Sequence, residues 1–98
     1  MKVYAITIHY PMDGKQISSV HMTRKGALQS ACKEMLEMVL SYDAYEDESL
    51  TWVEDNLCSL NKDHRLTIAE LDRIFEYAEE LLWEVGTEVE IVWHPLQP

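Results

Sequence analysis

The chain is short of glycine, with three in 98 residues. That scarcity nearly excludes loops that cradle phosphate through backbone N–H groups, which need several glycines at fixed spacing. Cysteine is also scarce. Cys32 and Cys58 both sit in helix-like apolar patterns, which predicts two small core residues in place of a disulfide. Long apolar runs are missing: stretches such as Met38-Val39-Leu40 fall far below the ~20 residues a bilayer-spanning helix needs. The opening Met1-Lys2-Val3-Tyr4 lacks the basic, apolar, then small-residue order of a signal peptide. Together these absences predict a cytoplasmic protein with no membrane association. Catalytic signatures are absent as well. There is no G-x-S-x-G, H-E-x-x-H, P-loop or G-x-G-x-x-G, and neither cysteine has an evident histidine partner. The expectation is a protein that binds a partner and is not an enzyme, with no catalytic residue, metal or cofactor to assign.

Negative charge is what the chain has in excess. Eighteen acids stand against eight bases, for a formal net charge of −10. The two halves differ: residues 1–42 carry five bases and three acids, whereas residues 43–98 carry three bases and fifteen acids. An acidic surface of this kind repels nucleic acid and anionic membranes and attracts a basic partner. The apolar fraction, 47%, is that of an ordinary globular chain, and 98 residues suffice for one compact domain, 1–98, but not for two.

Local patterns predict the order ββαααβ. Residues 2–10 are β-branched and aromatic and read as a strand; Pro11-Met12-Asp13-Gly14 is turn chemistry; residues 16–22 read as a returning strand. A register pairing Tyr10 with Gln16 would gather Tyr4, Ile6, Ile8, Val20 and Met22 on one buried face. It would also put His9, His21 and His94 on the outer face, where converging imidazoles about 2 Å from a zinc ion could hold it. Thr23 is a candidate cap for a helix over about 24–41, and Ser49 for one over about 49–60. Thr67-Ile68-Ala69-Glu70 is a capping box opening a helix to about Val85, stopped by Gly86. Residues 87–94 alternate as a last strand, with Val89, Ile91 and Trp93 on one side. The fold class expected is α+β with two layers, a three-stranded antiparallel sheet carrying three helices on one face, and the C-terminal strand beside the first.

Two patterns point to function. Ser59 to Glu70 resembles an EF-hand loop, with Asn61, Asp63, Thr67 and Glu70 on ligand positions. Ser59, however, replaces the first Asp and His64 the turn glycine. A degenerate calcium-responsive module is therefore one alternative. The stronger pattern is the third helix. Leu71, Ile74, Phe75, Ala78, Leu81, Leu82 and Val85 make its apolar stripe, while Asp72, Glu76, Glu79 and Glu80 share the opposite side with Trp83. Asp72–Glu76 and Glu76–Glu80 are like-charge i,i+4 pairs, each costing the helix about 0.2–0.5 kcal/mol. Carboxylates rising ~6 Å per step make a line of negative charge of the kind a nucleic-acid channel recognises. A tryptophan among carboxylates suits an anchor against a cationic partner. Asp43, Glu46, Asp47 and Glu48, with Glu54 and Asp55, form a second acidic patch.

A hairpin opening, a Thr-capped helix, an acidic second half and no enzymatic motif resemble the layout of small phage-encoded inhibitors of host defence, the anti-CRISPR proteins. The resemblance implies an inhibitor that occupies the basic surface of a nuclease or nucleic-acid-binding complex, by possible DNA mimicry, without itself binding nucleic acid. An immunity or antitoxin protein neutralising a basic toxin has the same electrostatics and is the second alternative.

Overall fold

In a computed structural model, which describes residues 2–62 and 66–95, the chain forms β1 (Lys2–Tyr10), β2 (Gly14–His21), α1 (Arg24–Ser41), α2 (Asp47–Lys62), α3 (Ile68–Trp83) and β3 (Glu88–Pro95). The strands make one antiparallel sheet in the order β2-β1-β3, so the C-terminal strand does lie beside the first. This is the expected α+β architecture. α1 lies against the strands, α3 packs on α1 and on β3, and α2 packs on α1. Among the described residues, no helix covers the other sheet face, and the Cα extents are 48 × 35 × 17 Å.

The helices start where the sequence caps them. Thr23, extended at φ −126° and ψ 150°, accepts a hydrogen bond from the Gly26 amide at 3.0 Å. A Cβ at position 26 would sit 2.9 Å from that Thr23 hydroxyl oxygen, so the glycine makes room for the cap. Thr67 and Glu70 form the full capping box, the Thr67 side chain accepting from the Glu70 amide at 3.1 Å and the Glu70 carboxylate accepting from the Thr67 amide at 3.3 Å. α2 departs from expectation. It begins at Asp47, so Ser49 lies inside the helix and is not its cap; Asp47 and Glu48 occupy its first turn, where carboxylates offset the positive end of the helix dipole. α3 ends at Trp83, two residues before the expected Val85. Gly86, at φ +79°, takes the left-handed conformation that permits the stop. Its amide donates to Trp83 O at 3.0 Å and the Thr87 amide donates to Leu82 O at 3.0 Å, satisfying carbonyls the helix would otherwise leave open.

The core lies between the helices and one sheet face. Ile6, Ile8 and Val89 from the sheet meet Leu28, Cys32, Met35, Leu36 and Val39 of α1, Val53 and Leu60 of α2, and Leu71, Ile74, Ala78, Leu81 and Leu82 of α3. The α3 stripe is therefore the expected one, except that Phe75 and Val85 are only half-buried.

The β1–β2 register is corrected by the structure. Gly14, at φ +75°, closes the hairpin opposite Tyr10, so Ile8 pairs with Gln16, two residues short of the expected partner. The ladder then shifts between Ile6 and Thr7, where Ile6 pairs with Ser19 and Thr7 with Ile17, leaving Ser18 as an extra residue. A bulge of this kind reverses the facing of everything beyond it. Ser18 turns to the helices, where its hydroxyl donates to the Glu34 carboxylate at 2.6 Å. Val20 turns to the open face, opposite Ala5, and is 56% exposed; Met22, at 58%, is exposed as well. The same reversal separates the histidines. His9 and His94 share the open face, while His21 pairs with Tyr4 on the helix side and bonds Ser19 at 2.9 Å. The three imidazoles therefore do not converge. Among the described residues, no group of three or more His, Cys, Asp or Glu side chains is arranged to hold a metal ion.

Candidate functional site

Helical periodicity with an apolar stripe on one side leaves α3 with an opposite face that is largely exposed among the described residues. Glu76, Glu79, Glu80 and Trp83 are exposed there, Trp83 to 66%. Asp72 is different. It is half-buried and its carboxylate meets the Arg24 guanidinium at 3.5 Å, so it braces α3 against the start of α1 and does not stand free with the others.

The tight turn at Gly86 brings the start of β3 back beside the end of α3. The seam is a groove of about 610 Å³ lined by Glu79, Glu80, Trp83, Glu84, Thr87, Glu88, Val89 and Glu90. Three of these carboxylates, Glu84, Glu88 and Glu90, did not figure in the sequence-derived site. Glu84 follows Glu80 by four residues and Gly86 marks a sharp return, so the signal was present, but it required joining a helix end to a strand start. Glu90 is partly balanced, its carboxylate lying 3.4 Å from His9 and 3.7 Å from Lys15. Among the described residues, Glu76, Glu79, Glu80, Glu84 and Glu88 have no ion-pair partner.

Electrostatic crowding is visible at Glu79. Loss of solvent around its carboxyl, followed by repulsion from Glu76, Glu88 and Glu80, raises its pKa above the ordinary value. A cation entering the groove would relieve that repulsion. Aromatic rings accept cations elsewhere in the molecule: Lys2 Nζ lies 4.4 Å from the Trp93 ring centroid, within the range of a cation–π contact. Trp83 offers the same type of surface beside free carboxylates.

The second acidic segment adjoins this end of the molecule. The Tyr45 hydroxyl donates to Leu81 O at 2.5 Å, and the Tyr42 hydroxyl lies 3.5 Å from that of Thr87, a groove residue. Burial, then Glu84 and Tyr42, raise the Tyr45 pKa. Asp43, Glu46, Asp47 and Glu48 are all exposed, and Asp47 and Glu48 also have the helix-end role described above.

Other candidates fit their chemistry poorly. Ser59, Asn61 and Lys62 lie within α2, so the first four positions of the EF-hand-like segment are helix. The Glu70 carboxylate is committed to the Thr67 cap. Asp63 and His64 fall outside the described residues. Cys32 is buried as expected; burial, and then Asp72, push its thiol up to about 12, and its sulfur donates to Leu71 O at 3.3 Å. Cys58 was expected in the core and is exposed, because the buried line of α2 runs through Val53 and Leu60 and Cys58 falls outside it. Among the described residues, no helix is long and apolar enough to cross a membrane. The chain matches no protein-family model, no curated protein and no solved structure.

Proposed function

We propose that the protein binds a basic partner and inhibits it, with the α3 face and the α3–β3 groove as the contact surface. The partner class that fits best is a nuclease or other nucleic-acid-binding protein or complex, whose basic channel the carboxylates occupy in place of nucleic acid, in the manner of an anti-CRISPR protein. The carrying observation is the set of five carboxylates, Glu76, Glu79, Glu80, Glu84 and Glu88, without an ion-pair partner among the described residues and gathered around an exposed Trp83. Glu76, Glu80 and Glu84 follow one another at i,i+4, a rise of ~6 Å per step. This spacing opposes helix stability and so needs a reason outside the fold. An exposed, unpaired thiol at Cys58 suits a reducing compartment, which supports a cytoplasmic location.

The test is a charge reversal. Glu76→Lys with Glu80→Lys should keep the melting temperature, since exposed substitutions usually stay within about 0.5 kcal/mol. The pair should abolish competition with nucleic acid for a basic partner recovered from host lysate. Retained competition at parental affinity would reduce the α3 face to a solvated surface and leave Asp43, Glu46, Asp47 and Glu48 as the site to test next.

A further inference from the structure

The sheet has two free edges, and they differ in their capacity to take another strand. β2 is interrupted by its bulge at Ser18, which twists an edge and spoils it as a template. β3 pairs with β1 without interruption from Lys2↔Pro95 to His9↔Glu88. Among the described residues, no backbone hydrogen bond outside that ladder reaches Glu88–Pro95. Its outer side is therefore a regular row of unpaired donors and acceptors, the form of edge that accepts an added strand.

We propose that the outer edge of β3 takes an extended, basic segment of the partner as a fourth strand, with lysine or arginine side chains on its helix side meeting Glu79, Glu84 and the Trp83 ring, and those on its open side meeting Glu88, which pairs with His9 on that face. The inference rests on the reading above for the sign of the partner's charge and adds the backbone mode of its capture. Charge selects this occupant over a second copy of the chain. Each copy carries a net charge of −10, and self-repulsion of that size opposes pairing of two β3 edges. A basic strand instead places its cations where the repulsion around Glu79 is greatest. β3 spans eight residues, so at about 3.3 Å per residue the captured segment is of similar length.

The experiment uses the full chain and a fluorescein-labelled peptide of about ten residues repeating Thr-Thr-Arg-Arg, which presents arginine to both faces of the sheet, the length matched to the edge. It is titrated by anisotropy at about 150 mM salt, where long-range attraction between exposed charges is largely screened. Its fully N-methylated counterpart keeps every charge and loses every backbone donor. The parent peptide should bind at least about tenfold more tightly than the methylated one, the scale of one or two lost hydrogen bonds. Glu88→Lys should weaken binding several-fold, whereas Glu37→Lys, with the same change in net charge, should not. Amides of residues 88–95 should gain hydrogen-exchange protection in the complex. Equal affinity for the two peptides overturns strand addition while leaving the acidic-surface reading intact. Failure of the parent peptide to bind, equal weakening by the two lysine variants, or protection confined to β2 also overturns it. The acidic-surface reading fails separately, through the Glu76 and Glu80 reversal against the folded partner.

Discussion

β2 and β3 flank the same central strand, yet they are built differently. β2 is exposed along nearly its whole length, carries Lys15 as its one permanent charge and is bulged at Ser18. β3 buries Val89, runs straight, carries Glu88 and Glu90 and lies under a helix whose free face is lined with glutamate. Stability alone gives no reason for this asymmetry, since both strands bond to β1 over comparable lengths. The difference places a bulged, sparsely charged strand at one edge of the sheet and concentrated negative charge, an exposed tryptophan and an uninterrupted strand at the other. A protein that needed only solubility would spread its charge evenly.

Several substitutions break or sharpen that contrast. The largest effect belongs to β1, which both edges share. Ile6 is fully buried, and Ile6→Ala should cost about 2–5 kcal/mol in a urea melt, with one transition reporting loss of both ladders. Two separate transitions would show that the edges are independent. Next, Val89→Ala on β3 should cost about 2 kcal/mol, whereas Val20→Ala on β2 should stay within about 0.5 kcal/mol. Equal costs in the melts would place Val20 in the core and refute the bulged register. Removing the cap that fixes α3 over the groove, by Thr67→Ala, should cost about 1 kcal/mol, measured as a lower melting temperature.

The smallest effect is at Glu79. Its folded-state pKa lies above the unfolded value of about 4.3, so the folded protein binds that proton more tightly. The sign is that of a repelled carboxylate: Glu79 detracts from stability at neutral pH, and the penalty is relieved as pH falls through the folded pKa toward the unfolded one. Glu79→Gln should therefore melt slightly above the parent at pH 7, with the advantage fading toward pH 4. A constant difference across that range would show that its neighbours do not act on it.

Much of the fold was legible because its determinants are local. Thr23, Thr67 with Glu70, and Gly86 set helix ends through contacts within a few residues, and the α3 stripe follows from periodicity alone. The register was not legible. Ile17-Ser18-Ser19-Val20 offers apolar residues in both alternations, and the extra serine is accommodated by Glu34, sixteen residues away on α1. Cys58 was misplaced for a related reason: α2 has few buried positions, and an apolar residue beside its stripe could be placed on either side of the boundary. For the site, Glu76, Glu79, Glu80 and Trp83 were legible as one face of a helix. Glu84, Glu88 and Glu90 were not, since their proximity comes from the turn at Gly86, and Asp72 was misjudged because its partner Arg24 lies 48 residues away in sequence.

The central claim, that the α3–β3 side is where negative charge acts on a partner, is tested most directly by two reversals matched in net charge. One changes Glu76 and Glu80 to lysine; the other changes Asp13 and Glu37, exposed in the hairpin loop and on α1, to lysine. Affinity of each variant for the same basic partner is measured beside its melting curve. The account predicts that both fold, that the first loses binding by about a hundredfold or more, as loss of close charge pairs does, and that the second binds within a few-fold of the parent. Equal losses from the two pairs would mean that total charge, and not this surface, governs binding, and would contradict the account.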